Sequence, residues 1–253
     1  MGLSRVVSQQ DIKAVLLTAP VNLSPPMRHK QLSHKRWKRN SILAISTFAL
    51  LASVKSMAAE ESREMTAQRL GSGNPLIGKE KSDAGRCLEC HGAEGVSSDA
   101  KIPNHAGQYA GYLVKQLNNF QSGERNHEVM NIMAEDLSAT DMADIAAYFA
   151  SQKPMPGDGS GANPLAKNLF VNGDQARAIP ACASCHGDDG KGRIADNTNY
   201  PVIGGQRRVY LRTQLVNWRL GERSNSPGNV MNKIAKALSE DEIDALANYI
   251  SGL

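Results

Sequence analysis

The chain has 253 residues, a length that suggests one or two domains, with 41% hydrophobic residues but only 5% aromatic. Its formal charge of +4 misleads, because residues 1–59 hold nine Lys/Arg against one Asp, which leaves a net −4 on residues 60–253. The basic balance therefore belongs to the leader and is no argument for a nucleic-acid partner.

The leader reads as an export signal. A cationic run, "KRWKRN" (35–40), precedes an apolar run, "SILAISTFALLASV" (41–54). The apolar run has the length of a signal-peptide core, and "KSMAAEE" offers small residues for cleavage after Ala58 or Ala59. It is short of the roughly 20 residues a membrane-spanning helix needs. Met27 is a natural start for such a signal, so the first 26 residues are expected to be untranslated in the cell.

Beyond the leader, the predicted elements come twice. The first copy carries "CLECHG" (87–92). It then runs through "GQYAGYLVKQLNNFQSGER" (107–125), with Tyr112, Leu113, Leu117 and Phe120 at helical spacing. It ends in a helix with Met142, Ile145, Ala146 and Phe149 on one face, opened by a capping box of Ser138 and Asp141. A segment rich in Pro, Gly and Ser (151–164) follows and reads as a linker.

The second copy repeats the order. "CASCHG" (182–187) falls on the first motif at an offset of 95, which also superposes Gly78 and Gly173. "GQRRVYLRTQLVNWRLGER" (205–223) matches at an offset of 98 with ten of nineteen positions identical, and residues 231–250 match 130–149 at an offset of 101. The offset grows by three twice, so the second copy should hold two small loop insertions. Tyr210, Leu211, Leu215 and Trp218 repeat the middle helix, and Ile243, Leu246, Ala247 and Ile250 repeat the last one behind Ser239 and Glu242. The chain is a tandem duplication. The expected organisation is a leader over 1–59, a first domain over 60–156 and a second over 157–253, each small and all-α. Domains this small have marginal cores and want a staple.

All four cysteines lie in the two Cys-x-x-Cys-His motifs, leaving none for a structural disulfide. Three chemistries use such motifs. Structural zinc needs four ligands, and here the pairs sit in separate copies. Redox dithiols sit near βαβ patterns, and no strand-rich stretch is evident. Covalent haem fits the spacing: two thiols one helical turn apart can reach both vinyl groups of one porphyrin, with the next imidazole under the iron. Two haem c groups are expected, on Cys87, Cys90 and His91, and on Cys182, Cys185 and His186.

The sixth ligand separates electron transfer from catalysis. A thioether raises the reduction potential and closes the site. Met130 aligns with Met231 while Met133 aligns with Ile234, so Met130 and Met231 are the expected ligands and Met133 a core residue. Met142 reads as a helix-face residue and Met155 as a linker residue. His105 and His127 are alternatives for the first iron, but neither has a histidine counterpart in the second copy. Pro103 and Pro201 also align. Each is either a loop proline or the carbonyl that fixes a ligand imidazole.

These motifs, with the Gly-Gln…Tyr-Leu…Gln-Leu…Gly-Glu-Arg run, resemble the dihaem cytochrome c4 family over residues 70–253. The resemblance implies two tandem class I cytochrome c domains and a periplasmic electron carrier, soluble or held on the membrane face. It implies transfer from the cytochrome bc complex to a terminal oxidase of the cbb3 type. It also favours the carbonyl role for Pro103 and Pro201. His105 departs from the aliphatic residue usual there, and the first helix of copy one lacks the aromatic that copy two has in Phe170, so looser packing is expected in the first.

Residues 60–153 carry a net −5 and residues 154–253 a net +1. Arg207, Arg208, Arg212, Arg219 and Arg223 crowd one segment, as a solvated helix face or as one of two charge-steered docking lobes. Two other functions share this build: a cytochrome subunit of an oxidoreductase, such as a sulfide-oxidising flavocytochrome, and a dihaem peroxidase. The paired methionines argue against the peroxidase, which needs an open iron.

Overall fold

The computed structural model describes Glu64 and residues 68–195 and 198–253, all within one compact unit. The signal-peptide reading, with its Met27 start and cleavage after Ala58 or Ala59, lies outside the described residues.

The first half contributes α1 (Pro75–Ala84), α2 (Cys87–His91), α3 (Ala110–Gln121), α4 (Glu128–Ala134) and α5 (Ala139–Ser151). The second contributes α6 (Pro164–Asn172), α7 (Ala183–His186), a two-stranded hairpin of β1 (Arg193–Ala195) and β2 (Thr198–Tyr200), α8 (Arg208–Leu220), α9 (Val230–Ala237) and α10 (Glu240–Ser251). The architecture is all-α apart from the hairpin, in which Arg193 pairs with Tyr200 in antiparallel register.

The halves are built alike. Asn74 and Asn163 cap α1 and α6, each ahead of a proline that lacks the donor a first turn leaves unsatisfied. Both expected capping boxes form, Ser138 with Asp141 on α5 and Ser239 with Glu242 on α10. Such a cap stabilises a helix by about 1 kcal/mol. In the first core Leu113 of α3 meets Ile145, Ala146 and Phe149 of α5. In the second, Leu211 and Leu215 of α8 meet Ile243, Leu246 and Ile250 of α10, with Phe170 of α6 wholly buried among them.

Both insertions fall where the offset grows. One is the hairpin between α7 and α8, and the other is a single 3-10 turn, Pro227–Asn229, ahead of α9. A further difference escaped the alignment. Gly78 lies inside α1 whereas Gly173 ends α6, so their coincidence at an offset of 95 is not a structural equivalence. The Asn-Pro caps correspond instead, and the second half has extra chain, including a 3-10 turn at Gln175–Arg177, before its first cysteine.

Three expectations need correction. Packing around α1 is close rather than loose, because Gly73 and Gly78 seat against the backbone of residues 143–144 of α5, where a Cβ would overlap the carbonyls. Glycine substitutes for a missing aromatic by letting the helices approach. Met155 is not an idle linker residue: it is 1% exposed, packed with Ala106, Val202 and Tyr109 where the halves meet. Met133 is no core residue, being 37% exposed on the outer side of α4, whose buried residue is Ala134.

The ends of the last helices carry the pH sensitivity of the fold. Lys81 pairs with Asp141 at 2.6 Å and with Asp144 at 2.9 Å, and Arg177 grips Glu242 through two hydrogen bonds of 2.7 and 2.9 Å. Lys81 and Ser138 lower the Asp141 carboxyl to about 2. The Asn74 N–H and Lys81 lower Asp144, and Arg177 lowers Glu242. A carboxylate depressed in the folded state contributes stability above its unfolded pKa of about 4 and loses it as pH falls. The melting temperature should hold above pH ~5, then fall steadily from about pH 4 towards pH 2. Thermal melts followed by helix circular dichroism check this, and a flat profile down to pH ~2.5 would remove these pairs from the account.

Candidate haem sites

Each Cys-x-x-Cys-His motif folds as one short helical turn, which sets its two sulfurs on one side and its histidine next to them. The first turn begins after Arg86, a left-handed residue at φ 59° whose guanidinium clasps Glu89 through two 2.8 Å bonds. It ends at Gly92, at φ 81°, where a side chain would strike the Val96 backbone. The second turn ends the same way at Gly187, at φ 79°.

His91 is buried, and its Nδ1 donates to the Pro103 carbonyl at 3.0 Å. His186 Nδ1 donates to the Pro201 carbonyl at the same 3.0 Å. The carbonyl can only accept, so both tautomers are set with Nδ1 protonated and Nε2 available as a ligand. The two aligned prolines thus serve as acceptors rather than as plain loop residues. Burial lowers the pKa of both imidazoles, which keeps them neutral as a metal ligand must be.

The first thiol of each motif behaves oppositely to that of a redox enzyme. Burial raises Cys87, and it raises Cys182 to about 11. Disulfide oxidoreductases depend on depressed thiol pKa values. Among the described residues no group of three or more His, Cys, Asp or Glu is arranged to hold a metal ion.

Met130 and Met231 sit half-buried in the first turns of α4 and α9. Each is held by its own backbone: Met130 N donates to His127 Nδ1 at 3.3 Å, and Met231 N to Ser226 Oγ at 3.2 Å. His127 is therefore a helix cap. His105 stacks on His91 with ring centroids 4.1 Å apart, and Phe149 closes edge-on at 5.3 Å from His105. Ile203 occupies the matching position in the second half, packed against that half's core.

Other residues of the site were not singled out from sequence. Asn131 and Asn232 follow the two methionines and tie α4 and α9 to the preceding segments. Asn131 Nδ2 donates to the Phe120 carbonyl at 2.6 Å, and Asn232 Nδ2 to those of Trp218 and Arg223 at 2.8 and 2.7 Å. Arg125 and Arg223 turn into the junction between halves. Arg223 is 4% exposed, lies 4.2 Å over the Trp218 ring, and donates to Gln214, Gln116, Tyr112 and Asn225. Arg125 donates to Gln116, Gln214 and Tyr210. The signal was present, since every one of these positions except Asn225 is identical in the two copies or pairs with its repeat counterpart.

This junction tests the cofactor assignment. Among the described residues neither guanidinium pairs with a carboxylate, and Trp218 Nε1 is a buried donor with no partner. Buried cationic and donor groups call for an anion. Haem brings two propionates as well as a flat apolar ring, so these residues fit it. Of the five arginines over 207–223, three are engaged within the chain, two of them in solvent-exposed ion pairs. Arg212 pairs with Glu240 and Asp244, Arg219 with Glu240, and Arg223 with the junction.

The geometry agrees with what the chain resembles. The family model for cytochrome c matches residues 167–253. Cytochrome c4 of Pseudomonas aeruginosa is 40% identical over 184 residues, covering 72% of this chain and 89% of that protein. A protein described as "Thiosulfate dehydrogenase electron acceptor", from Stutzerimonas stutzeri, is 36% identical over 211 residues, covering 81% of this chain and 91% of its own. The crystal structure of reduced recombinant cytochrome c4 from Pseudomonas stutzeri matches with a TM-score of 0.67 at 36% identity, over 72% of this chain and all of that one.

Proposed function

The chain belongs to the cytochrome c4 family, and from that premise we propose that it carries electrons through the periplasm from the cytochrome bc complex to a terminal oxidase of the cbb3 type. Family membership makes it a dihaem electron-transfer protein with covalently bound haem c, and not an enzyme. Each haem, when bound, supplies one ferric/ferrous couple. Domains over 60–156 and 157–253 would each hold one.

The residues divide the work. Cys87 and Cys90, with Cys182 and Cys185, are the thioether attachment points. His91 and His186, held by the prolyl carbonyls at 3.0 Å, would each ligate one iron. Met130 and Met231 would supply the second ligand, and thioether ligation would keep each site closed to exogenous ligands and its potential high. The observation that carries the reading is the duplication of one Cys-x-x-Cys-His turn with its prolyl acceptor at 3.0 Å and of the aligned methionines; two irons closed by His and Met would suit a carrier and leave no open position for a substrate. Export rests on the leader. No described helix is long and apolar enough to cross a membrane.

A second reading has one observation in its favour. A relative is described as the electron acceptor of thiosulfate dehydrogenase, so this protein would accept electrons from a sulfur-compound dehydrogenase, as a subunit or a dedicated partner. Membranes from a strain lacking the protein separate the two. Oxygen uptake with ascorbate that rises with added dihaem protein and stops with cyanide supports the respiratory carrier. No rise, with the protein fully reduced, moves the assignment to the dehydrogenase partner.

A further inference from the structure

The two halves are cross-wired through a pair of glutamines that the repeat aligns at an offset of 98. Gln108, from the first half, accepts from Val202 N at 2.9 Å and donates to Val202 O at 2.8 Å. Gln206, from the second, accepts from Asn104 N at 2.8 Å and donates to Asn104 O at 2.9 Å. All four residues are at most 5% exposed.

The peptide unit involved is decisive. The N–H of Val202 belongs to the same peptide as the carbonyl of Pro201, which accepts from His186. The N–H of Asn104 belongs to the same peptide as the carbonyl of Pro103, which accepts from His91. Each glutamine oxygen therefore pulls on one end of a peptide whose other end holds the imidazole of the opposite half. A peptide that donates at its N–H becomes a better acceptor at its oxygen, because linked hydrogen bonds polarise one another. A stronger acceptor on Nδ1–H makes the imidazole a more basic ligand and favours the ferric state.

We propose that Gln108 and Gln206 are crossed positioning residues, each tuning the reduction potential of the haem in the other half. Neither touches a histidine ring; each acts through one peptide. The consequence is that the halves cannot be tuned independently, and that any partner which parts them alters both sites at once. The inference rests on His91 and His186 being the axial ligands.

Gln108→Leu and Gln206→Leu in the holoprotein test it. Potentials are followed by spectroelectrochemistry, with each haem assigned by NMR through its contacts to residues of its own half. Gln108→Leu should raise the potential of the second-half haem more than that of the first, and Gln206→Leu should do the reverse. Own-half shifts, equal shifts or no shift would overturn the proposal. If neither variant folds, the unaltered protein still decides. The ring N–H of His186 should exchange with deuterium in step with the Val202 amide, and that of His91 with the Asn104 amide. Exchange in step with their own halves' helices would overturn it. Ligation is checked separately: without paramagnetically shifted ring protons on His91 and His186 in the ferric protein, the ligand assignment fails rather than the cross-wiring.

Discussion

Met231→Ala yields a reduced protein that binds carbon monoxide at one haem, where the unaltered protein binds none. On the proposed ligation the thioether is the group that closes the position, and alanine leaves nothing that reaches it. The potential of the second haem should fall by on the order of a tenth of a volt or more, within the roughly 0.8 V that axial ligation spans. Met130→Ala should do the same at the first haem, and the two effects should add, because the methionines lie in separate helices. Met133→Ala is the control: this side chain is 37% exposed on α4 and should change neither carbon monoxide binding nor potential. Optical titration under carbon monoxide reads all three. Carbon monoxide bound only in the Met133 variant would exchange the roles of Met130 and Met133.

Arg223→Ala should cost about 1–3 kcal/mol of stability, the range for leaving a buried hydrogen-bonding group unsatisfied. Arg223 donates to groups of both halves, at 2.7 Å to Gln214, 2.9 Å to Asn225, and 3.1 Å to Gln116 and Tyr112. Truncation leaves Asn225 Oδ1 without its donor, takes from Gln116 and Gln214 one of the two arginines that serve them, and removes the cation from the Trp218 face. Arg125→Ala should cost less, because that side chain is only partly buried. Arg223→Lys should recover a part, since an ammonium keeps the charge but not the planar fork. Guanidinium unfolding of the holoprotein measures the series. A loss below about 1 kcal/mol for Arg223→Ala would show that the halves do not depend on this residue.

Much of the site was legible because it is local and repeated. Cys-x-x-Cys-His is a single helical turn, so spacing alone places two sulfurs and an imidazole together. The choice of Met130 over Met133 followed from the repeat. The capping boxes were legible for the same reason, since a cap is decided by four consecutive residues. Where the reading failed, contacts distant in sequence had decided the outcome. Gly78 is a poor helix residue by propensity, yet here it lets α1 lie on the backbone of α5. Met155 looked like linker until the junction closed over it. The arginines over 207–223 read as a solvated helix face or a docking lobe, and only the fold shows Arg212 and Arg219 paired with Glu240 and Asp244 of α10.

The sequence by itself determined the duplication, the helical class and the cofactor chemistry, because each depends on spacings of a few residues or on two copies agreeing. Only the tertiary structure decided which carbonyls hold the histidines and that the two halves share those carbonyls. Pro103 and Gln206 are far apart in the chain, and no local pattern links them. They meet because two similar halves face each other, so that a glutamine buried from water must find its partners on the opposite side.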